Sequence, residues 1–167
     1  FLYIESPMDQ SYNSLPIKIW YTEDTTTWKL ITGDGFGDPL ATNYWWGFLI
    51  FKGDFYIDMN IYDPATDTSW RKVMRSSNGT DWSVFCDGCN VLGTVIEGSL
   101  YRSWWDSGPV VMRSKDLINW EQVNLTGFDD PDINGISPLG KLKDELYFLA
   151  TDSNFGYQIW RWCLNCK

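Results

Sequence analysis

A chain of 167 residues can bury one sizeable core, and 44% apolar content without a long uncharged apolar run excludes a disordered chain and a membrane-spanning helix. The formal net charge of -9 and pI near 4.3 argue against nucleic acid or an anionic membrane as partner, since both demand clustered Lys and Arg. Histidine is absent, which removes the commonest general base and metal ligand, and no cofactor motif stands out.

β-Branched and aromatic residues fill short segments between turn residues from Phe1 onward, and no stretch sustains a helical period, so the reading is all-β. An apolar-Tyr pair recurs as Leu2-Tyr3, Phe55-Tyr56, Leu100-Tyr101 and Leu146-Tyr147. The tyrosine intervals of 53, 45 and 46 residues lie in the range of β-propeller blades. A second frame runs from a β-branched residue to a tryptophan nine positions on: Ile19 to Trp28, Val73 to Trp82 and Val111 to Trp120. The middle copy reads as a hairpin turning at Asn78-Gly79, a pair that tolerates positive φ.

In the second repeat the strands fall at 47–52, 54–61, 71–76 and 82–85, and in the third at 93–96, 99–104, 109–114 and 120–124. With these labelled A to D, the first repeat starts inside strand B at 1–5 and the fourth stops after strand C at Arg161-Trp162. The expected architecture is a propeller-like array of about four antiparallel four-stranded units with ragged ends, BCD, ABCD, ABCD and ABC. It forms one domain over 1–167, with repeats at about 1–34, 35–86, 87–126 and 127–167. A start at Phe1, with no initiator methionine or signal peptide, reads as a processed chain or a segment of a longer one.

Strand D joins the next strand A through Gly35-Phe-Gly-Asp-Pro39 and Gly127-Phe-Asp-Asp-Pro131, each seven residues after the repeat tryptophan. The intervening junction carries Cys86-Asp-Gly-Cys89 instead. A second pair, Cys163-Leu-Asn-Cys166, follows a strand C, so the two pairs belong to opposite strand ends, and two local disulfides are favoured over a four-thiolate zinc site. Together with sequons at Asn78 and Asn124, these pairs indicate a secreted, extracellular and glycosylated protein.

Ser76-Ser-Asn78-Gly79 with Trp82, Ser114-Lys-Asp116 with Trp120, and the looser Thr22-Glu-Asp24 with Trp28 resemble the Asp-box repeats of secreted sialidase-like and galactose-oxidase-like propellers. That resemblance implies a structural turn between strands C and D, away from any active site; Asn78 replaces the usual Asp, and Asp116 lacks the following Gly. Ser114-Lys-Asp-Leu-Ile-Asn-Trp120 is also similar to the corresponding turn of five-bladed glycosidases such as arabinanases and fructosidases, whose carboxylates project into an axial funnel.

A glycosidase needs two carboxylates across the scissile bond, and Glu97, Asp38, Asp130 and Asp132 are the candidates, each set against the plainer reading of a solvated turn. Asp129, Asp130 and Asp132, with Asn134, are the candidate calcium ligands, against plain Asp-Pro turn chemistry. Arg75, Arg113 and Arg161 occupy one repeat position, either as a sialidase-like carboxylate clamp or as cross-strand partners of acids and aromatics. Trp82 and Trp120 are expected to be buried between repeats, whereas Trp45, Trp46, Trp104 and Trp105 fall outside the repeat and are the candidates for ligand binding. The expected function is a non-enzymatic extracellular glycoprotein module that binds carbohydrate or another extracellular protein, or self-assembles, through strand complementation at its ragged ends and even into a filament. The alternative is a glycoside hydrolase of sialidase-like or five-bladed type.

Overall fold

The computed structural model describes residues 1–5, 15–41, 43–105, 109–124 and 126–163, with 43–47, 105, 126–127 and 163 described through the backbone alone. Sheet one holds β1 (Leu2–Glu5), β2 (Lys18–Tyr21) and β3 (Lys29–Thr32). Sheet two holds β4 (Asn43–Phe51), β5 (Asp54–Asp63), β6 (Thr68–Ser76) and β7 (Ser83–Asp87). Sheet three holds β8 (Thr94–Ile96), β9 (Ser99–Trp105), β10 (Pro109–Ser114) and β11 (Glu121–Gln122). A 3-10 turn, Thr126–Asp129, leads to sheet four, with β12 (Ile133–Leu142), β13 (Glu145–Asp152) and β14 (Gly156–Cys163). Every sheet is an antiparallel meander in chain order, so the array is all-β and propeller-like, and among the described residues it is ragged as BCD, ABCD, ABCD, ABC.

Two compact units divide the chain, Phe1–Leu92 and Gly93–Lys167, each holding two sheets. In the first, Leu2, Ile4 and Ile19 of sheet one meet Ile57, Met59 and Ile61 of sheet two. In the second, Tyr101 and Val111 of sheet three meet Leu146, Phe148 and Ala150 of sheet four. Thr94 and Ser103 hydroxyls add hydrogen bonds to the Pro138 and Ile136 carbonyls across that contact. Full burial of one such aliphatic or Phe side chain contributes about 1.5–3 kcal/mol, so the alternating strand pattern is what holds the sheets together.

The three C–D turns share one hydrogen-bond scheme. Ser76 Oγ accepts the Gly79 N–H at 2.8 Å, and Asn78 Oδ1 accepts the Thr80 and Asp81 N–H groups at 2.9 Å each. In the third repeat Ser114 Oγ accepts from Leu117 at 2.8 Å and Asp116 Oδ1 from Ile118 and Asn119 at 2.9 and 2.7 Å. Thr22 and Asp24 do the same for Thr25, Thr26 and Thr27 at 3.0, 2.8 and 2.7 Å. The scheme drives the residue after the Asp or Asn to positive φ, 82° at Gly79 but also 65° at Thr25 and 68° at Leu117. Those two side chains sit where glycine is sterically at ease.

The apolar-Tyr pair and the repeat arginine are one feature seen from two strands. Tyr56 lies opposite Arg75, Tyr101 opposite Arg113 and Tyr147 opposite Arg161. Sheet one departs from the expected alignment, because Tyr21, which precedes the box residue Thr22 as Arg75 precedes Ser76, lies opposite Leu2. Leu2 therefore takes the tyrosine position and Tyr3 the next one, on the other face. A one-residue shift reverses every side chain of a strand, and burial of Leu2 and Ile4 against sheet two selects this register. The expected burial of Trp82 and Trp120 is also corrected: both are half-buried. Trp82 donates its indole N–H to the Gly79 carbonyl at 3.1 Å, which holds the ring at the margin of the box turn.

Candidate functional site

Because the strands alternate in direction, A–B and C–D turns lie at one end of a sheet, and B–C turns and D–A junctions at the other. Glu97 is the first residue of the A–B turn, where it and Gly98 have φ of 49° and 72°, as Lys52 and Gly53 have 53° and 88°. Its carboxylate pairs with Lys141, near the end of β12. Asp130 lies at the start of that strand, its carbonyl accepting the Ile133 N–H at 3.4 Å. At about 3.3 Å per residue the two acids are roughly 25 Å apart, far beyond the roughly 5–10 Å of a glycosidase pair.

Asp38 and Asp130 instead hold the same turn. Asp38 Oδ1 accepts the Leu40 N–H at 3.1 Å, and Asp130 Oδ1 accepts the Asp132 N–H at 3.0 Å, each across an Asp-Pro step. Asp38 also pairs with Lys72 at 3.4 Å. Asp129 and Asp132 are exposed, and among the described residues no three His, Cys, Asp or Glu side chains gather to hold a metal ion. Each repeat arginine faces an acid: Arg75 pairs with Asp54 at 2.5 Å, Arg113 with Glu121 at 2.6 Å and Arg161 with Glu145 at 3.3 Å. Glu121 is the first residue of β11, and the Asp54 and Glu145 carboxylates stand at the starts of their B strands. These acids hold the three arginines within their own sheets, where a clamp would need them turned on a common ligand.

Cys86 and Cys89 are disulfide-bonded with their Cα atoms 6.0 Å apart, at the end of β7. Cys163 is described only as backbone, and Cys166 lies outside the described residues. Asn78 is exposed within its box, its amide nitrogen donating to Asp81 at 2.6 Å. Asn124 extends the β10 ladder from the side, its Oδ1 accepting the Val111 N–H at 2.6 Å. Trp45 and Trp46 occupy the bulge of β4 between Tyr44 and Gly47, while their side chains and that of Trp105 lie outside the described residues. Trp104 is 41% exposed, with the Arg102 guanidinium 4.4 Å from its ring centre. The same guanidinium lies 3.7 Å from the ring centre of Trp120, so one cation contacts two indoles. No repeat pattern marks Arg102. Asp58, fully buried on β5, is equally unannounced; it pairs with Arg71 at 3.2 Å and accepts the Val91 N–H at 3.4 Å.

An aromatic concavity was also missed in the sequence. A groove of about 370 Å³ in the second unit is lined by Val123, Asn124, Phe128, Trp160, Arg161 and Trp162. Phe128 lies parallel to Trp160 with ring centres 5.2 Å apart, and it meets Phe148 at 5.5 Å. Trp160 is oriented from behind: its indole N–H reaches Gln158 at 3.0 Å, and Gln158 reaches the buried Asp152 at 3.0 Å. Val123 is pinned to the Val111 carbonyl at 3.0 Å, which fixes the opposite wall. The signal available in sequence was the alternation Trp160-Arg161-Trp162, which puts both indoles on one face. An aromatic floor of this kind suits a ligand having one apolar face.

No protein-family model matches the chain, and no curated protein matches it. Solved structures that resemble it include Zg3597, a family 117 glycoside hydrolase of the marine bacterium Zobellia galactanivorans, at 15% identity and TM-score 0.42 over 89% of this chain and 56% of that one. A glycosyl hydrolase from Bacteroides ovatus aligns at 12% identity and TM-score 0.40 over 96% of this chain and 61% of its own. A third belongs to the GH130 family of mannoside phosphorylases, which contains glycoside hydrolases targeting β-1,2 mannosidic linkages in Candida mannan; it aligns at 13% identity and TM-score 0.38, over 92% and 56%. The chain thus spans less than two thirds of the length of each of these structures.

Proposed function

We propose that this chain is the sugar-recognising portion of a carbohydrate-active propeller of the glycoside hydrolase class. The observation that carries the reading is the groove lined by the aromatic side chains of Phe128, Trp160 and Trp162. A pyranose offers a patch of C–H groups to an aromatic face, and the groove has the volume of a small-ligand site. Similarity of the turn ending at Trp120 to that of five-bladed glycosidases supports the same class. A non-enzymatic extracellular module is the second reading, favoured by the engagement of Glu97, Asp38 and Asp130 in turns and ion pairs. Secretion and glycosylation at Asn78 accompany both.

Titration of tryptophan fluorescence with mannan, arabinan and sialylated oligosaccharides tests the recognition. One of these sugars is expected to saturate the wild-type signal and to leave Trp162→Ala unresponsive. A flat response to the whole panel removes the proposal. Reducing-sugar release from the same panel separates the two readings, since only the hydrolase produces it.

A further inference from the structure

The outward face of sheet four is built as a sheet-docking face. Sheet three makes contact with sheet four through Tyr101 and Val111, and Val111 is 0% exposed there. Matched through the Tyr-Arg cross-strand pair, Tyr147 takes the place of Tyr101 and Ile159 the place of Val111. Ile159 is nevertheless 70% exposed, with Tyr157 beside it on the same face at 77%. Leu142, opposite Glu145 on that face, is also exposed. Large apolar side chains gathered on one face at such exposure mark an interaction surface.

A matching face exists on sheet one. Its Leu2–Ile4–Ile19 side covers sheet two, and the reverse side carries Phe1 at 74% and Tyr3 at 55% exposure, with Trp20 and Leu30 in register across β2 and β3. Trp28 stands edge-on to Tyr3 at 6.3 Å. Within the chain the same kind of contact is used twice, sheet one on sheet two and sheet three on sheet four, always with the Leu2/Tyr101 face of the earlier sheet against the opposite face of the later one. Sheet four retains an uncovered face of the first kind, and sheet one an uncovered face of the second kind.

We infer that the Tyr157–Ile159 face of sheet four in one copy docks the Phe1–Tyr3 face of sheet one in a second copy, repeating head to tail the contact the chain makes internally. Two different faces meet, so the association is heterologous, and each copy keeps one face free for the next. The inference does not depend on sugar recognition.

Sedimentation velocity of the full chain over a range of concentrations tests it, with Ile159→Lys and Tyr3→Glu as variants at exposed sites whose melting curves are checked against wild type. Wild type is expected to form concentration-dependent multimers, and each variant alone to sediment as a monomer. Mixed one to one, the two variants are expected to form dimers and nothing larger, because one intact face of each kind remains. A wild type that stays monomeric at its highest soluble concentration overturns the inference, and slow amide exchange in β1 and β14 of that monomer would assign both faces to contacts inside one chain. Undiminished association of either variant overturns it equally.

Discussion

The two Gly-Phe-x-Asp-Pro junctions share a left-handed step at phenylalanine and have opposite outcomes. Phe36 and Gly37 have φ of 62° and 80°, and Phe128 and Asp129 have 54° and 67°, so both loops hold a phenylalanine in the left-handed region and push its ring onto the next sheet. At Gly35 a Cβ would collide with the Asp38 carbonyl, which makes glycine obligatory there. Phe36 meets Trp82 at 5.6 Å, and that indole, from the start of strand D, fills the space over Met74. Phe128 meets Trp160, which stands at the Met74 position of sheet four, where no fourth strand is paired among the described residues, and the space beside it is the groove. One motif thus closes a core in the first unit and walls a cavity in the second. A repeat specifies the plug but not what fills the socket.

The strongest way to break this comparison is to remove the plugs. Phe36→Ala and Phe128→Ala are each expected to cost about 2–3 kcal/mol in urea denaturation, somewhat under the roughly 3–5 kcal/mol of a fully buried aromatic because both rings are half-buried. Only Phe128→Ala should also abolish the sugar response. A cost below about 1 kcal/mol for either would show that its ring merely lies on the surface.

Next in size are the tryptophans at the two sockets. Trp82→Ala is expected to lose about 2 kcal/mol, through half its burial and the bond to Gly79, while Trp162→Ala loses under about 1 kcal/mol because it borders an open groove. Equal destabilisation by the two would mean the second socket is packed.

Smaller effects should distinguish the boxes. The Asn119 side chain, followed by the Asn119 and Ile118 N–H groups, holds the Asp116 carboxyl below the usual carboxylate range; the Thr27 and Thr26 N–H groups, then the Thr22 hydroxyl, do so for Asp24. A folded-state value below the unfolded one means that this stabilisation is complete above the ordinary Asp range and lost as pH falls through the lower folded value. Asp116→Asn, which copies the neutral Asn78 box, is therefore expected to flatten the acid limb of stability against pH. An unchanged acid limb in pH-dependent urea midpoints would assign acid sensitivity elsewhere. The least change is expected at the second junction, where Asp129→Gly gives the left-handed position the residue found at Gly37 and should stabilise by about 0.5 kcal/mol. Destabilisation in the same assay would mean that the Asp129 side chain has a role of its own.

The sequence by itself determined whatever rests on neighbours a few residues apart. The all-β class, the ragged strand order and the three box turns follow from alternation, turn residues and side-chain oxygens that reach N–H groups two or three positions on. Tertiary structure decided the features that depend on residues far apart along the chain. Leu2 and Tyr3 are both apolar enough to face a core, and only the packing of sheet two under Leu2 and Ile4 chose between registers. The bulge that starts β4 at Asn43, and the shortening of β11 to Glu121–Gln122, likewise came from pairing with partner strands. The groove could not be read from local pattern either, because Phe128 and Trp160 are repeat residues like Phe36 and Met74, and a cavity arises only where packed neighbours fail to meet.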